Sequence, residues 1–246
     1  MATSFGALCT DFYVNQKLAV KMDLPSDRET ILHMFDRIRA DNKSMSRFRR
    51  YSDELSLESS RRDGSYRWAA LRRNSVRSGH VNPDSLEQAY DLHRLMLRTT
   101  PYHLSLSPLD IQYQELLFGF DLECKGNQHE IVYEALIANS PLASLLDCPG
   151  AKPLDIQPMI GLALEDRLQA FFEVKTSTSP SQVRTGRYRT EPISVFLTIR
   201  RVGAIEKVED LLEHFELMRT KAEELAAHRV VPDLLAPISR AITSSP

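Results

Sequence analysis

The chain repeats its own order of elements. From about Phe12 to Leu106, and again from about Tyr113 to Leu235, it reads long strand, helix, meander of strands, amphipathic helix. A shift of 100 residues carries Leu18, Val20 and Met22 onto Phe118, Phe120 and Leu122, and Ile31 and Leu32 onto Ile131 and Val132. Toward the end of each half the offset becomes 122, so the second half holds a net 22-residue insertion; there Leu86, Tyr90, Leu95 and Met96 meet Val208, Leu212, Leu217 and Met218. Two units of this size are not a solenoid, which needs shorter periods and at least three copies. The division falls near Ser105-Leu106-Ser107-Pro108, giving units 1–108 and 109–246 that form one pseudo-symmetric domain or two α+β domains.

Within the first unit, Phe12, Val14, Leu18, Val20 and Met22 alternate with Asp11, Tyr13, Asn15, Lys17 and Lys21, the period of a strand with one buried face. Ser26 with Glu29 reads as a capping box opening a helix that buries Ile31, Leu32, Met34, Phe35 and Ile38. Arg47–Tyr51, Leu55–Ser59, Tyr66–Arg72 and Val76–Val81 read as short antiparallel strands, with Asp63-Gly64 as a hairpin turn. Asn82-Pro83 is expected to start a helix that runs to about Arg98. In the second unit, Gln112–Cys124, Pro158–Leu164, Leu168–Val174 and Ile193–Arg200 are the expected strands. Helices are expected from the Asn127 cap to about Asn139 and from Val208 to about His228, with a frayed tail from Pro232.

Meanders of strands with helices on one face make an α+β fold. A duplicated β-α-β-β-β-β-α order resembles the saddle of the TATA-box-binding protein and, more loosely, the helix-grip folds. The resemblance is one of element order, and it implies geometry only: one antiparallel sheet across both halves, helices on one face, a polar or mixed face left open.

Charge is the strongest compositional signal. The whole chain is nearly neutral, at −2, yet Arg47–Arg77 holds nine arginines against four acids. Near neutrality argues against an obligate duplex-DNA binder. No apolar run approaches the ~20 residues of a membrane span. The opening residues lack the pattern of a signal peptide. Cys9, Cys124 and Cys148 have no paired spacing and read as reduced thiols of a cytoplasmic protein.

Candidate ligand-binding residues come from two places. Arg47, Arg49, Arg67 and Arg72 stand near Phe48, Tyr51, Tyr66 and Trp68 in the meander, and arginine beside aromatic rings suits anions and single-stranded nucleic acid. The bland alternative pairs these arginines with Asp53, Glu54, Glu58 or Asp63 across strands. The phase of Tyr66–Arg73 is open, because either Tyr66/Trp68/Ala70 or Ala69/Leu71 could face the core. The second place is Thr176–Thr190, with seven Ser or Thr among fifteen residues, no acid, and Arg184 and Arg187. It is a candidate lid or a plain surface excursion.

None of the seven histidines has metal-ligand spacing; His93 is expected on the core stripe and His80 near a strand end. Glu115, Asp121, Glu123, Glu165 and Glu173 alternate away from the apolar phase and could form a carboxylate pair. Phosphate-loop, nucleophile-elbow and kinase motifs are missing. The expectation is a non-catalytic cytoplasmic binding protein that needs no cofactor or metal. It would present a charged sheet face to an anionic small molecule or a protein partner, with a homodimer also compatible. An enzyme with a pocket at the junction of the halves and a single-stranded nucleic-acid binder are the alternatives.

Overall fold

In the computed structural model, which describes residues 5–61 and 64–244, all nine strands form one antiparallel sheet. The elements in chain order are β1 (Asp11–Val20), α1 (Arg28–Asp41), β2 (Arg47–Arg50), β3 (Glu54–Glu58), β4 (Tyr66–Arg72), β5 (Ser75–Val81) and α2 (Leu86–His103). There follow β6 (Ile111–Lys125), α3 (Gln128–Leu136), β7 (Met159–Ala163), β8 (Leu168–Lys175), α4 (Pro180–Thr185), β9 (Thr190–Val202), α5 (Asp210–Leu225) and α6 (Ala236–Ser244). Across the sheet the strands run β2-β3-β4-β5-β1-β6-β9-β8-β7. The first strand of each half pairs with the last strand of the same half, and β1 joins β6 at the centre.

Period-2 alternation sorts the two faces. Phe12, Val14 and Leu18 of β1 and Leu116, Phe118 and Phe120 of β6 are fully buried. α2 and α5 lie on that face: His93 of α2 reaches Ser78 of β5, and Gln114 of β6 donates to the Leu211 carbonyl of α5. Tyr90 and His93 of α2 pack edge-on to Phe215 of α5, so one core serves both halves. In β4, Ala69 and Leu71 take the core side and Trp68 the open side.

Local chemistry shifts several expected boundaries. The α1 cap is Asp27, whose carboxylate accepts from Thr30 N–H, and not Ser26. α2 begins after Ser85, which accepts from Gln88 N–H, and continues through Pro101 to His103 rather than ending at Arg98. Asn82 is no cap. It adopts a left-handed φ of 47° and binds the Phe12 amide and the Asp11 carboxylate, tying the end of β5 to the start of β1. Asp63 of the expected Asp63-Gly64 turn lies outside the described residues, while Gly64 has a φ of +72° that suits glycine.

From Pro232 to Ser244 the tail is not frayed, while Ser245 and Pro246 lie outside the described residues. α5 continues into a ten-residue π-helical stretch, Ala226–Leu235, and then into α6, which packs on α3. Val230, Leu235 and Ile238 are fully buried, and this apolar stripe holds the segment helical beyond the proline. Thr176–Thr190 is not an open loop throughout: α4 is closed by a Ser179/Gln182 capping box at its start and by left-handed Gly186 at its end.

Candidate functional site

On the open face of the first half, a cavity of about 840 Å³ lies over β3, β4, β5 and β1. Two aromatic rings lie flat across the strands because glycines leave room beneath them. A Cβ on Gly79 would come within 2.3 Å of the Trp68 indole, and one on Gly119 within 2.1 Å of the Tyr13 ring. A glycine inside a strand marks close approach of this kind. Trp68, Tyr13, Tyr51 and Tyr66 all contribute to the lining.

Cations cover several rings of the open face. Arg77 stands 5.8 Å above Trp68 and Arg61 stands 4.6 Å above Tyr66. In the second half Arg200 covers Tyr113 and Phe171, and Lys175 covers Phe196. The guanidiniums of the cavity are also tied to acids. Arg72 meets Glu54 at 2.8 Å and Asp53 at 3.5 Å, Arg77 meets Glu54 at 3.6 Å, and Arg61 meets Glu58 at 3.8 Å. The hydrogen bond to Glu54 raises the Arg72 pKa further. Glu58 accepts in addition from Tyr51 Oη at 2.8 Å and Ser56 Oγ at 2.9 Å.

At the far wall Asp11 and Asp121 are direct cross-strand neighbours. Asn82 Nδ2 donates to Asp11 at 2.6 Å, and Ser194 Oγ donates to Asp121 at 2.6 Å. Burial, with the nearby Asp11 charge adding to it, raises the Asp121 pKa above the ordinary carboxylate value. Among the described residues the lining carries five carboxylates against three guanidiniums, so this lining is acidic on balance although it sits in the arginine-rich meander.

The expected site residues divide. Trp68 and Arg72 line this cavity together. Arg67 projects to the opposite face, where it reaches Asn42, Gln88 and His80. Arg49 is exposed on β2, opposite Ser56. Arg184 in α4 and Arg187 just after it belong to the β8–β9 connection, separated from β4 in the sheet order by β5, β1 and β6. That connection is pinned to α3: Gln128 Oε1 accepts from Ser177 and Thr178 amides, and His129 Nε2 lies 2.9 Å from the Thr178 carbonyl. Asp11, Tyr13 and Arg77 join the site only through strand pairing, and Arg61 through the β3–β4 connection. The sequence signal that could have found it is Gly79, a glycine inside the expected strand Val76–Val81.

His80 and His93 lie on the helix-bearing side of the sheet. His80 is buried beside Ser65 and Arg67, and burial followed by the Arg67 charge lowers its pKa to about 4. His93 is fully buried, with Nδ1 2.8 Å from Ser78 Oγ, and burial lowers its pKa to about 3. Of the sheet carboxylates, Glu115 joins Arg200 at 2.5 Å and Lys17 at 3.8 Å, and Glu173 joins Lys175 at 3.2 Å.

A second cavity of about 480 Å³ lies on the other side of the β2–β3 hairpin, against the start of α1. Leu24, Ile31, Leu32, Phe48, Leu55 and Leu71 make its apolar wall. Arg28 and Arg50 also line it, and neither has an ion-pair partner among the described residues.

No protein-family model and no curated protein matches the chain. The reading of function therefore rests on the geometry. No helix among the described residues is long and apolar enough to cross a membrane.

Proposed function

We propose that the chain is a non-catalytic binding protein on an internally duplicated scaffold, and that its partner enters the open-face cavity beside Trp68. The observation that carries this is the pair of rings seated on Gly79 and Gly119 below a ring of tethered charges. An indole and a phenol laid flat on a sheet offer rigid apolar area at low entropic cost. Surrounding ion pairs can reorganise toward an incoming polar group. Because Arg61, Arg72 and Arg77 are already held by carboxylates, the acid-rich balance favours a ligand with a positive group over the pure anion expected from arginine content. A short basic segment of a protein partner fits this description.

The duplication is supported by strand register. Tyr13 pairs with Val81, and Tyr113, 100 residues after Tyr13, pairs with Val202. The β4–β5 link is a tight turn whereas the β8–β9 link holds α4, which accounts for most of the extra length of the second half. Both halves joining through β1 and β6 is the arrangement that the saddle-like element order implies.

The single tryptophan makes the site testable. Short lysine-containing peptides should change Trp68 emission saturably, whereas glutamate-containing peptides of equal length should not. Gly79→Ala should lift the indole, shift its emission to the red and weaken peptide binding about tenfold, equivalent to ~1.4 kcal/mol. A response indifferent to peptide charge and to Gly79→Ala would refute the assignment.

The second cavity supports a second reading for anions. An apolar pocket lined by Arg28 and Arg50, neither with an ion-pair partner among the described residues, suits an amphipathic carboxylate. Decanoate should bind more tightly than decanol by calorimetry, and Arg28→Gln with Arg50→Gln should remove the difference. Equal affinities in the parent chain would dismiss this reading.

A further inference from the structure

The two edges of the sheet are built differently. β2 carries Arg47, Arg49 and Arg50, and such charges on an edge strand prevent edge-to-edge pairing. β7, Met-Ile-Gly-Leu-Ala, has no charge, no proline and no charged neighbour within the strand, and all five of its residues are exposed. Met159 is 65%, Ile160 59% and Leu162 44% exposed. An uncharged, apolar edge with open backbone groups is a template for another strand.

The hydrogen bonds to β8 define which groups are open. Val174 N–H donates to the Pro158 carbonyl and Leu164 N–H donates to the Leu168 carbonyl, so the even-numbered residues of β7 bond inward. In an antiparallel ladder the alternate residues then direct both N–H and C=O outward. Those residues are Met159, Gly161 and Ala163.

We propose that β7 pairs antiparallel with β7 of a second copy of this chain, about a two-fold axis at Gly161, so that one sheet runs through both protomers. In this register Met159, Gly161 and Ala163 exchange backbone hydrogen bonds with Ala163, Gly161 and Met159 of the second copy. Ile160 then faces Leu162 of the second copy in the close, non-hydrogen-bonded position, on the helix-bearing side of the sheet. Both outward-bonding residues and apolar residues are symmetric about Gly161, as an isologous contact requires. The self-complementary register is what points to a second copy, and no charge on β7 opposes it, whereas β2 of one copy would repel β2 of another. The inference is independent of the cavity beside Trp68, which lies in the other half of the sheet.

Sedimentation equilibrium of the full chain should report a dimer, and Leu162→Lys should report a monomer with unchanged circular dichroism. Register is tested in a Cys148→Ser background. There Ile160→Cys with Leu162→Cys places thiols at a cross-strand Cα separation of about 4.5 Å, within disulfide reach. Oxidation should give a covalent dimer on a non-reducing gel. A monomeric parent chain would overturn the proposal, as would a Leu162→Lys variant that remains dimeric. Failure of the paired cysteines to cross-link would overturn the register.

Discussion

Replacing both Leu235 and Ile238 with alanine is expected to lower the free energy of unfolding by about 5 kcal/mol, because each buried Leu or Ile to Ala change costs ~2–5 kcal/mol in transfer and cavity terms. Leu235 is 1% and Ile238 0% exposed, at the junction of the π-helical stretch with α6. The two lie three residues apart, so their effects will not add fully. Urea unfolding followed by circular dichroism measures the change as a lower midpoint at similar slope. Arg240→Ala, on the exposed side of α6, should stay within about 0.5 kcal/mol of the parent. A neutral double variant would mean that the C-terminal helix contributes nothing to the fold.

Acidification is expected to destabilise the protein through His80 and His93. In the unfolded chain both imidazoles take up protons near pH 6.5; in the folded chain they stay neutral down to about 4 and about 3. Across that interval the unfolded state binds more protons, so stability falls as pH falls. At a pH near 4.5 each histidine contributes a loss of roughly 2–3 kcal/mol, reached gradually below about pH 6.5. His93→Gln can keep a hydrogen bond to Ser78, and His80→Gln can keep one to Ser65. The double variant should therefore show a flatter dependence of unfolding free energy on pH between 6.5 and 4.5. An unchanged slope would mean that the two rings are hydrated or already charged in the folded state.

Burial explains why these rings remain neutral. Ser78 Oγ lies 3.1 Å from Gln16 Oε1 and 2.8 Å from His93 Nδ1. Gln16 Oε1 can only accept, so the serine proton goes to it and His93 Nδ1–H donates to the serine oxygen. This polar chain between α2 and the sheet is what the expected core position of His93 amounts to in three dimensions.

Alternation and helical spacing gave the sequence its reach. The residues of β1 and β6, the apolar stripes of α2 and α5 and the α+β class follow from periodicity, because a strand or helix buries one face and the pattern records which. The same alternation marked β1 and β6 as long strands with one buried face, and they pair at the centre of the sheet. Caps were less legible. Ser26, Asp27, Asn82 and Ser85 are all competent acceptors, and only the course of the chain decides which of them meets a free helix N–H.

Face and partnership were decided by tertiary structure. Arg67 and Trp68 are adjacent in sequence yet lie on opposite sides of β4, and which side meets the helices depends on the pairing of β4 with β3 and β5. An arginine-rich segment became an acid-rich cavity because β1 and β6 bring Asp11 and Asp121 to it, and because Glu54 and Glu58 hold the guanidiniums nearby. The tail looked frayed at Pro232 because its helical stripe has value only where α3 lies beside it. Local periodicity fixes what each segment can bury; only the packed sheet determines which charges and rings those segments bring together.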